Sequence, residues 1–219
     1  RPIASGRISV KKAICIAVIL FILSILLNYL STNTLVSPAL YCLLLYFALN
    51  VCYSLGAKDI PIMDVMILAA GFVIRVYYGA FVVHVPVSSW LFLTILSASL
   101  FMGLGKRKKE LKMKDEVRNV LRNYNDKFLD SFINVCLTLI IVFYSLWTME
   151  QEITYLFLSI PMLIVIFMQY MLYMENSDEG DPTTILFQHK SLMATCLVYA
   201  IFMVVVMLFT NDTFHGFGF

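Results

Sequence analysis

Residues 87–114 read VSSWLFLTILSASLFMGLGKRKKELKMK, and the boundary inside that stretch decides the fold. Residues 87–105 carry no charge; Lys106, Arg107, Lys108, Lys109, Glu110, Lys112 and Lys114 then follow at once. A hydrocarbon core takes about 20 helical residues to cross. The uncharged run is long enough for that, and the cations mark its exit into water. No water inside a bilayer can satisfy open backbone groups, so a crossing segment must be a helix.

Working outward, the same pattern recurs and predicts seven spans, at about 12–30, 36–54, 64–84, 87–105, 129–149, 152–174 and 190–210. The composition agrees. Hydrophobic residues make up 61% of the 219 and charged residues 14%, against about 25% charged in soluble proteins. An ordinary soluble domain is excluded, and the fold class is an all-α membrane protein forming a single transmembrane domain over 1–219. Pro38, Pro61, Pro86 and Pro182 fall in or beside connections, where chain breakers belong. Pro161 falls inside the sixth span and predicts a kink there.

Charge sets the orientation. Arg1, Arg7, Lys11, Lys12, Lys58, nine cations between Lys106 and Lys127, and Lys190 all lie in segments facing one side. The connections around 31–35, 85–88 and 149–152 carry no Lys or Arg, nor does the tail from 211. Cytoplasmic loops concentrate Lys and Arg, so the basic side is the cytoplasmic one.

The sixteenth cation, Arg75, stands inside the third span, eleven residues past Asp64, or ~16 Å at 1.5 Å per residue. A charge at that depth marks a polar cavity or an ion pair by default, with a snorkelling arginine as the plainer reading. Asp64, Gly71, Arg75 and Gly79 share one helix face. That pattern suits either close packing through small residues or a cavity open to the cytoplasm. The preceding loop brings Tyr53, Lys58, Asp59 and Asp64 to the membrane boundary, where carboxylates and an ammonium suit a magnesium-bound phosphate. The same residues also suit a solvated turn.

Residues 108–126 read as an amphipathic helix on the cytoplasmic surface. Lys108, Lys109, Lys112 and Lys114 are accounted for by that solvated, lipid-facing position, whereas Lys106 and Arg107 are better placed to reach a cavity. The acidic stretch from Glu175 to Thr183 reads as a solvated turn, with a metal role as the lesser alternative. The five cysteines form no ligand or disulfide pattern, and the three histidines are isolated.

Arg1-Pro2-Ile3-Ala4-Ser5-Gly6-Arg7-Ile8-Ser9 resembles the segment that follows the first aspartate-rich motif in the UbiA superfamily of intramembrane prenyltransferases. That resemblance implies a UbiA-like helical bundle of nine spans, seven of them present here. The first aspartate-rich motif, that family's main magnesium site, would precede Arg1, and the chain by itself is expected to lack activity. The finer resemblance is to a phosphoribosyltransferase branch. It is carried by Gly105-Lys106-Arg107 with Glu110 and Leu111, by Tyr53-Ser54 with Lys58 and Asp64, by Gly71-Phe72-Val73-Ile74-Arg75, by Tyr124…Phe128-Leu129-Asp130, and by Gly180-Asp181-Pro182-Thr183.

The branch implies magnesium-dependent transfer of 5-phosphoribose from phosphoribosyl pyrophosphate to polyprenyl (decaprenyl) phosphate, with release of pyrophosphate, feeding cell-envelope polysaccharides. It assigns Asp59 and Asp64 to the metal or the ribose. Lys58, Lys106 and Arg107 go to the donor phosphates, Arg75 and Tyr53 to the cavity wall, and Glu110 and Asp130 are further catalytic candidates. The expected setting is a bacterial cytoplasmic membrane; no nucleic-acid partner is expected, and a homo-oligomer is left open. Two alternatives stand beside this reading: a prenyltransferase acting on an aromatic acceptor, and a non-catalytic lipid-binding or transport protein.

Overall fold

A computed structural model describes residues 9–34, 36–112, 121, 123–151, 153, 155–176 and 182–216. Local chemistry explains several helix ends. The Ser9 hydroxyl accepts from the Lys12 N–H at the start of α1 (Val10–Thr32), and Asn33 closes that helix in a left-handed conformation. Asparagine tolerates that conformation better than most residues. Pro38 opens α2 (Pro38–Leu55), where its missing N–H costs nothing. After a 3₁₀ turn at Ala57–Asp59 come α3 (Met63–Val82), α4 (Ser89–Lys112) and α5 (Asp126–Glu150). The Asn125 side chain caps α5 by accepting from the Phe128 N–H at 2.7 Å. The chain ends with α6 (Ser159–Asn176), the short α7 (Pro182–Gln188) and α8 (Lys190–Gly216).

Seven of these helices are long and apolar enough to cross a membrane, close to the spans expected. Two boundaries differ from the sequence reading, each for a physical reason. Pro161 stands in the first turn of α6, just after a 3₁₀ turn at Leu156–Leu158, and not inside the helix. First-turn N–H groups have no partner within the helix, so proline is tolerated there and bends nothing further along. The fourth span does not end at Gly105. It runs on to Lys112, because Lys, Arg, Glu and Leu are good helix formers and nothing after Gly105 stops them. Residues 108–112 are thus the end of α4, and α5 begins at Asp126. Most of the surface helix expected between them, at 113–120 and 122, lies outside the described residues, as do Arg1–Ile8 and Gly180-Asp181.

The chain divides into two compact units. The first, Arg1–Leu49 with Ile74–Pro86, holds α1, most of α2 and the C-terminal part of α3. Phe21 of α1 and Phe47 of α2 meet there with ring centroids 4.2 Å apart. A Cβ at Gly79 would meet nothing within 4 Å among the described residues, so close packing does not explain that glycine.

The second unit, Asn50–Val73 with Val87–Phe219, contains the larger core. Val65, Phe101, Leu104, Leu129, Ile133, Tyr170 and Met174 are buried in it, joining α3, α4, α5 and α6. Two glycines on α4 permit this. A Cβ on Gly103 would lie 2.8 Å from Val65 Cγ1, and one on Gly105 would lie 3.1 Å from Met174 Sδ. Valine cannot swing away as an unbranched methionine can. Gly103→Ala should therefore lower the thermal midpoint in detergent by an overpacking cost of about 1–3 kcal/mol. Gly105→Ala should cost clearly less, and equal losses would contradict this packing.

Candidate active site

Arg107 is 2% exposed and Asp64 is fully buried, although both are charged residues at the end of a membrane-spanning helix. Burying one charge alone is prohibitive, so each needs the other. Arg107 Nε stands 2.9 Å from Asp64 Oδ2. The N–H is not aimed along that line, so the contact is a meeting of charges and not an aligned hydrogen bond. Arg107 Nη1 also pairs with Glu110, one turn further along α4. Asp64 occupies the first turn of α3, where the helix dipole favours a carboxylate.

Tyr124 completes the cluster. Its hydroxyl donates to Asp64 Oδ1 at 2.8 Å and accepts from the Ile62 N–H at 2.6 Å. Burial, followed by its hydrogen bond to the Asp64 carboxylate, pushes the phenol up to about 12, so it stays a donor across the neutral range. Ile62 holds φ 71°, a conformation β-branched residues rarely adopt.

A second cluster lies one residue along α4. Lys108, also buried, pairs with Asp130 of α5 at 2.7 Å and with Glu175 of α6. Lys112 meets the other Glu175 oxygen at 3.1 Å, and the Lys109 ammonium donates to the Glu175 carbonyl at 3.4 Å. Lys108, Lys112, Asp130 and Glu175 border a polar cavity of about 440 Å³ reaching Asp126 and Asn134.

In the first unit Arg75 lies over the Tyr46 ring, 5.5 Å from its centroid. Both border an apolar pocket of about 450 Å³ with Phe21, Phe47 and Tyr78. The ring face offsets part of the cost of a cation there.

The structure thus gathers Asp64, Arg107 and Glu110 into one cluster and draws Asp130 into the second. Lys106 is exposed on α4, Asp59 is exposed, and Lys58 and Tyr53 are half-buried. Among the described residues no ion pair ties Lys58 to Asp64. The sequence reading missed Tyr124 and Glu175 as site residues and left Lys108 and Lys109 to solvent. The signal was present: if α4 continues past Gly105, Lys108 and Lys112 share one face, and a carboxylate is needed opposite.

Among the described residues no three His, Cys, Asp or Glu side chains gather as metal ligands. Asp64 does not fit a magnesium site as it stands, since one oxygen accepts from a phenol and the other faces a guanidinium.

Seven spanning helices, with ionic clusters where α4 leaves the apolar core, define an integral membrane protein with a polar site at a helix end. Residues 1–192 match the UbiA prenyltransferase family, and the chain belongs to that family. It is 29% identical to the decaprenyl-phosphate phosphoribosyltransferase of Corynebacterium glutamicum, over 98% of this chain and 67% of that protein. Proteins of the same name from Mycolicibacterium smegmatis and Mycobacterium tuberculosis are 26% and 25% identical, each over 91% of this chain and 66% and 67% of their own lengths. The chain therefore spans about two thirds of the curated relatives it matches.

Asp64→Asn should remove the fully buried one of the two charges facing Arg107 and destabilise the fold by about 3 kcal/mol, as a buried cation loses its only water-excluded counter-ion. Adding Arg107→Met should restore much of that loss in thermal unfolding. Additive losses would mean that the two charges do not depend on each other.

Proposed function

We propose that this protein transfers 5-phosphoribose from phosphoribosyl pyrophosphate to a polyprenyl phosphate, releasing pyrophosphate. The names of its relatives support that reading. The structural observation in its favour is the basic end of α4, where five cations stand within seven residues and two carboxylates hold the buried Arg107. The donor carries a pyrophosphate and a separate 5-phosphate, and so needs several cations.

In this reading Lys106 and Lys58 take donor phosphates directly. Arg107 reaches the leaving pyrophosphate as that anion competes with Asp64 and Glu110. An oxygen of the acceptor phosphate forms the new bond to the anomeric carbon. The bond from that carbon to pyrophosphate breaks, and the leaving group keeps the electron pair. Fixed cations around the departing oxygen stabilise its charge, which is the main lever in such transfers. The acceptor is already anionic near neutral pH, so holding the two substrates in line matters more than removing a proton. Exposed Asp59 would be the carboxylate open to a magnesium ion brought with the donor's pyrophosphate, and such an ion would supply further counter-charge to the leaving group. The basic connections face the cytoplasm, the donor arrives from that side, and the product feeds cell-envelope polysaccharide synthesis.

The test uses membranes containing the protein expressed from its complete gene, with labelled phosphoribosyl pyrophosphate, magnesium and a polyprenyl phosphate. Label should move into the lipid phase. Lys106→Ala should cut kcat/KM by about tenfold or more, as expected for a lost charge-assisted contact. Turnover of a prenyl pyrophosphate with an aromatic acceptor, without label transfer, would replace this reading with that of a prenyltransferase.

A further inference from the structure

One hydroxyl joins two connections of the second unit, and the first of them carries candidate substrate residues. The connection before α3 holds Lys58 and Asp59 and ends in the turn at Ile62. The connection after α4 ends at Tyr124. Nothing in the hydrophobic pattern requires a tyrosine at 124 in place of another apolar residue. Its ring is buried at 7% exposure, its N–H donates to the Leu121 carbonyl at 3.1 Å, and Phe128 lies 6.0 Å away centroid to centroid. The next residue, Asn125, caps α5. The phenol is thus held from its own side and has little freedom to follow its partners.

The two groups it grips, the Ile62 N–H and the Asp64 carboxylate, have no other directed hydrogen bond among the described residues. Ile62 sits at φ 71°, where an L side chain is strained and glycine would not be. Its N–H has the Tyr124 oxygen as acceptor, while its carbonyl already accepts from Val65 and Met66 at the start of α3. The Asp64 carboxylate has one directed hydrogen bond, also from Tyr124, because its other oxygen meets Arg107 only as charge. A hydroxyl supplies one donor and two acceptor positions. Here it spends its donor on the carboxylate and one acceptor on the strained turn.

We propose that Tyr124 is a positioning residue for the transfer reaction: its hydroxyl locks the Ile62 turn and the Asp64 carboxylate together, and so sets Lys58, Asp59 and Arg107 toward the donor. This rests on the phosphoribosyltransferase reading given above. Without the hydroxyl, Asp64 can rotate toward Arg107 and the Ile62 turn can relax out of its left-handed conformation. The loop that carries Lys58 and Asp59 then samples more than one position.

The experiment compares wild type, Tyr124→Phe, and Tyr124→Phe with Ile62→Gly, all from the complete gene in membranes or detergent. Hydrogen exchange at the Ile62 amide reads the lock without reference to activity. Tyr124→Phe should speed that exchange at least tenfold while α3 and α5 core amides stay protected, and should lower kcat for label transfer by about tenfold, the loss expected for a hydrogen bond to a charged partner. The double variant should regain most of that kcat, because glycine adopts φ 71° without the lock. A merely structural tyrosine would lower the melting temperature without rescue by glycine at 62.

Unchanged exchange at Ile62 in Tyr124→Phe would overturn the lock. Faster exchange with unchanged kcat would overturn the positioning role. If Tyr124→Phe does not fold, the folded double variant decides: recovered transfer supports the proposal, and inactivity overturns it. Wild type that exchanges as expected but transfers no phosphoribose would refute the phosphoribosyltransferase reading and leave the lock itself intact.

Discussion

A guanidinium and a carboxylate facing each other out of reach of water set the terms for the second unit. Neither Arg107 nor Asp64 could be buried alone, so α3 and α4 must approach until their charges meet. The helices have room to do so because α4 offers a glycine, Gly103, opposite Val65, one turn before Arg107. Small residues let helix backbones approach where a side chain would hold them apart. Packing and electrostatics are therefore one constraint, and Glu110 and Tyr124 satisfy what the pair leaves open on either side.

The two ionic clusters divide the end of α4 by face. Arg107 turns toward α3 and the tyrosine that precedes α5. Lys108 and Lys112 turn toward α5 and α6, where Glu175 bridges both ammonium groups. Successive residues on a helix point about 100° apart, so a run of cations that looks uniform in sequence is partitioned among three neighbouring helices. Lys106, on the remaining side, is exposed. One short segment thus supplies a buried ion pair, a bridged interhelical contact and a solvent-facing cation.

The spans were legible because the bilayer imposes length and apolarity on every crossing, and charge falls only where a segment leaves it. Asp64 and Arg107 could be singled out as charged residues at span boundaries, but not as partners. Pairing depends on which faces of α3 and α4 meet, and that is a property of packing. Lys108 and Lys109 were set aside because a basic run beside a membrane is usually solvated. Their burial follows from α4 continuing to Lys112, which the abrupt loss of hydrophobicity at Lys106 concealed. Tyr124 stood out only as part of a family resemblance and not by its chemistry, since a tyrosine among apolar residues looks the same whether its hydroxyl is idle or engaged.

The continuity of α4 has one more consequence. The uncharged run that crosses the bilayer and the charged run that forms the ionic clusters are one rigid rod, with no hinge between them among the described residues. A helix adjusts to a thinner or thicker bilayer chiefly by tilting. Any tilt of the apolar part is carried to Arg107 and Lys108, which it moves against α3 on one side and α5 on the other. The thickness and fluidity of the surrounding lipid therefore bear mechanically on the geometry of the polar site, making the membrane a participant in how that site is set.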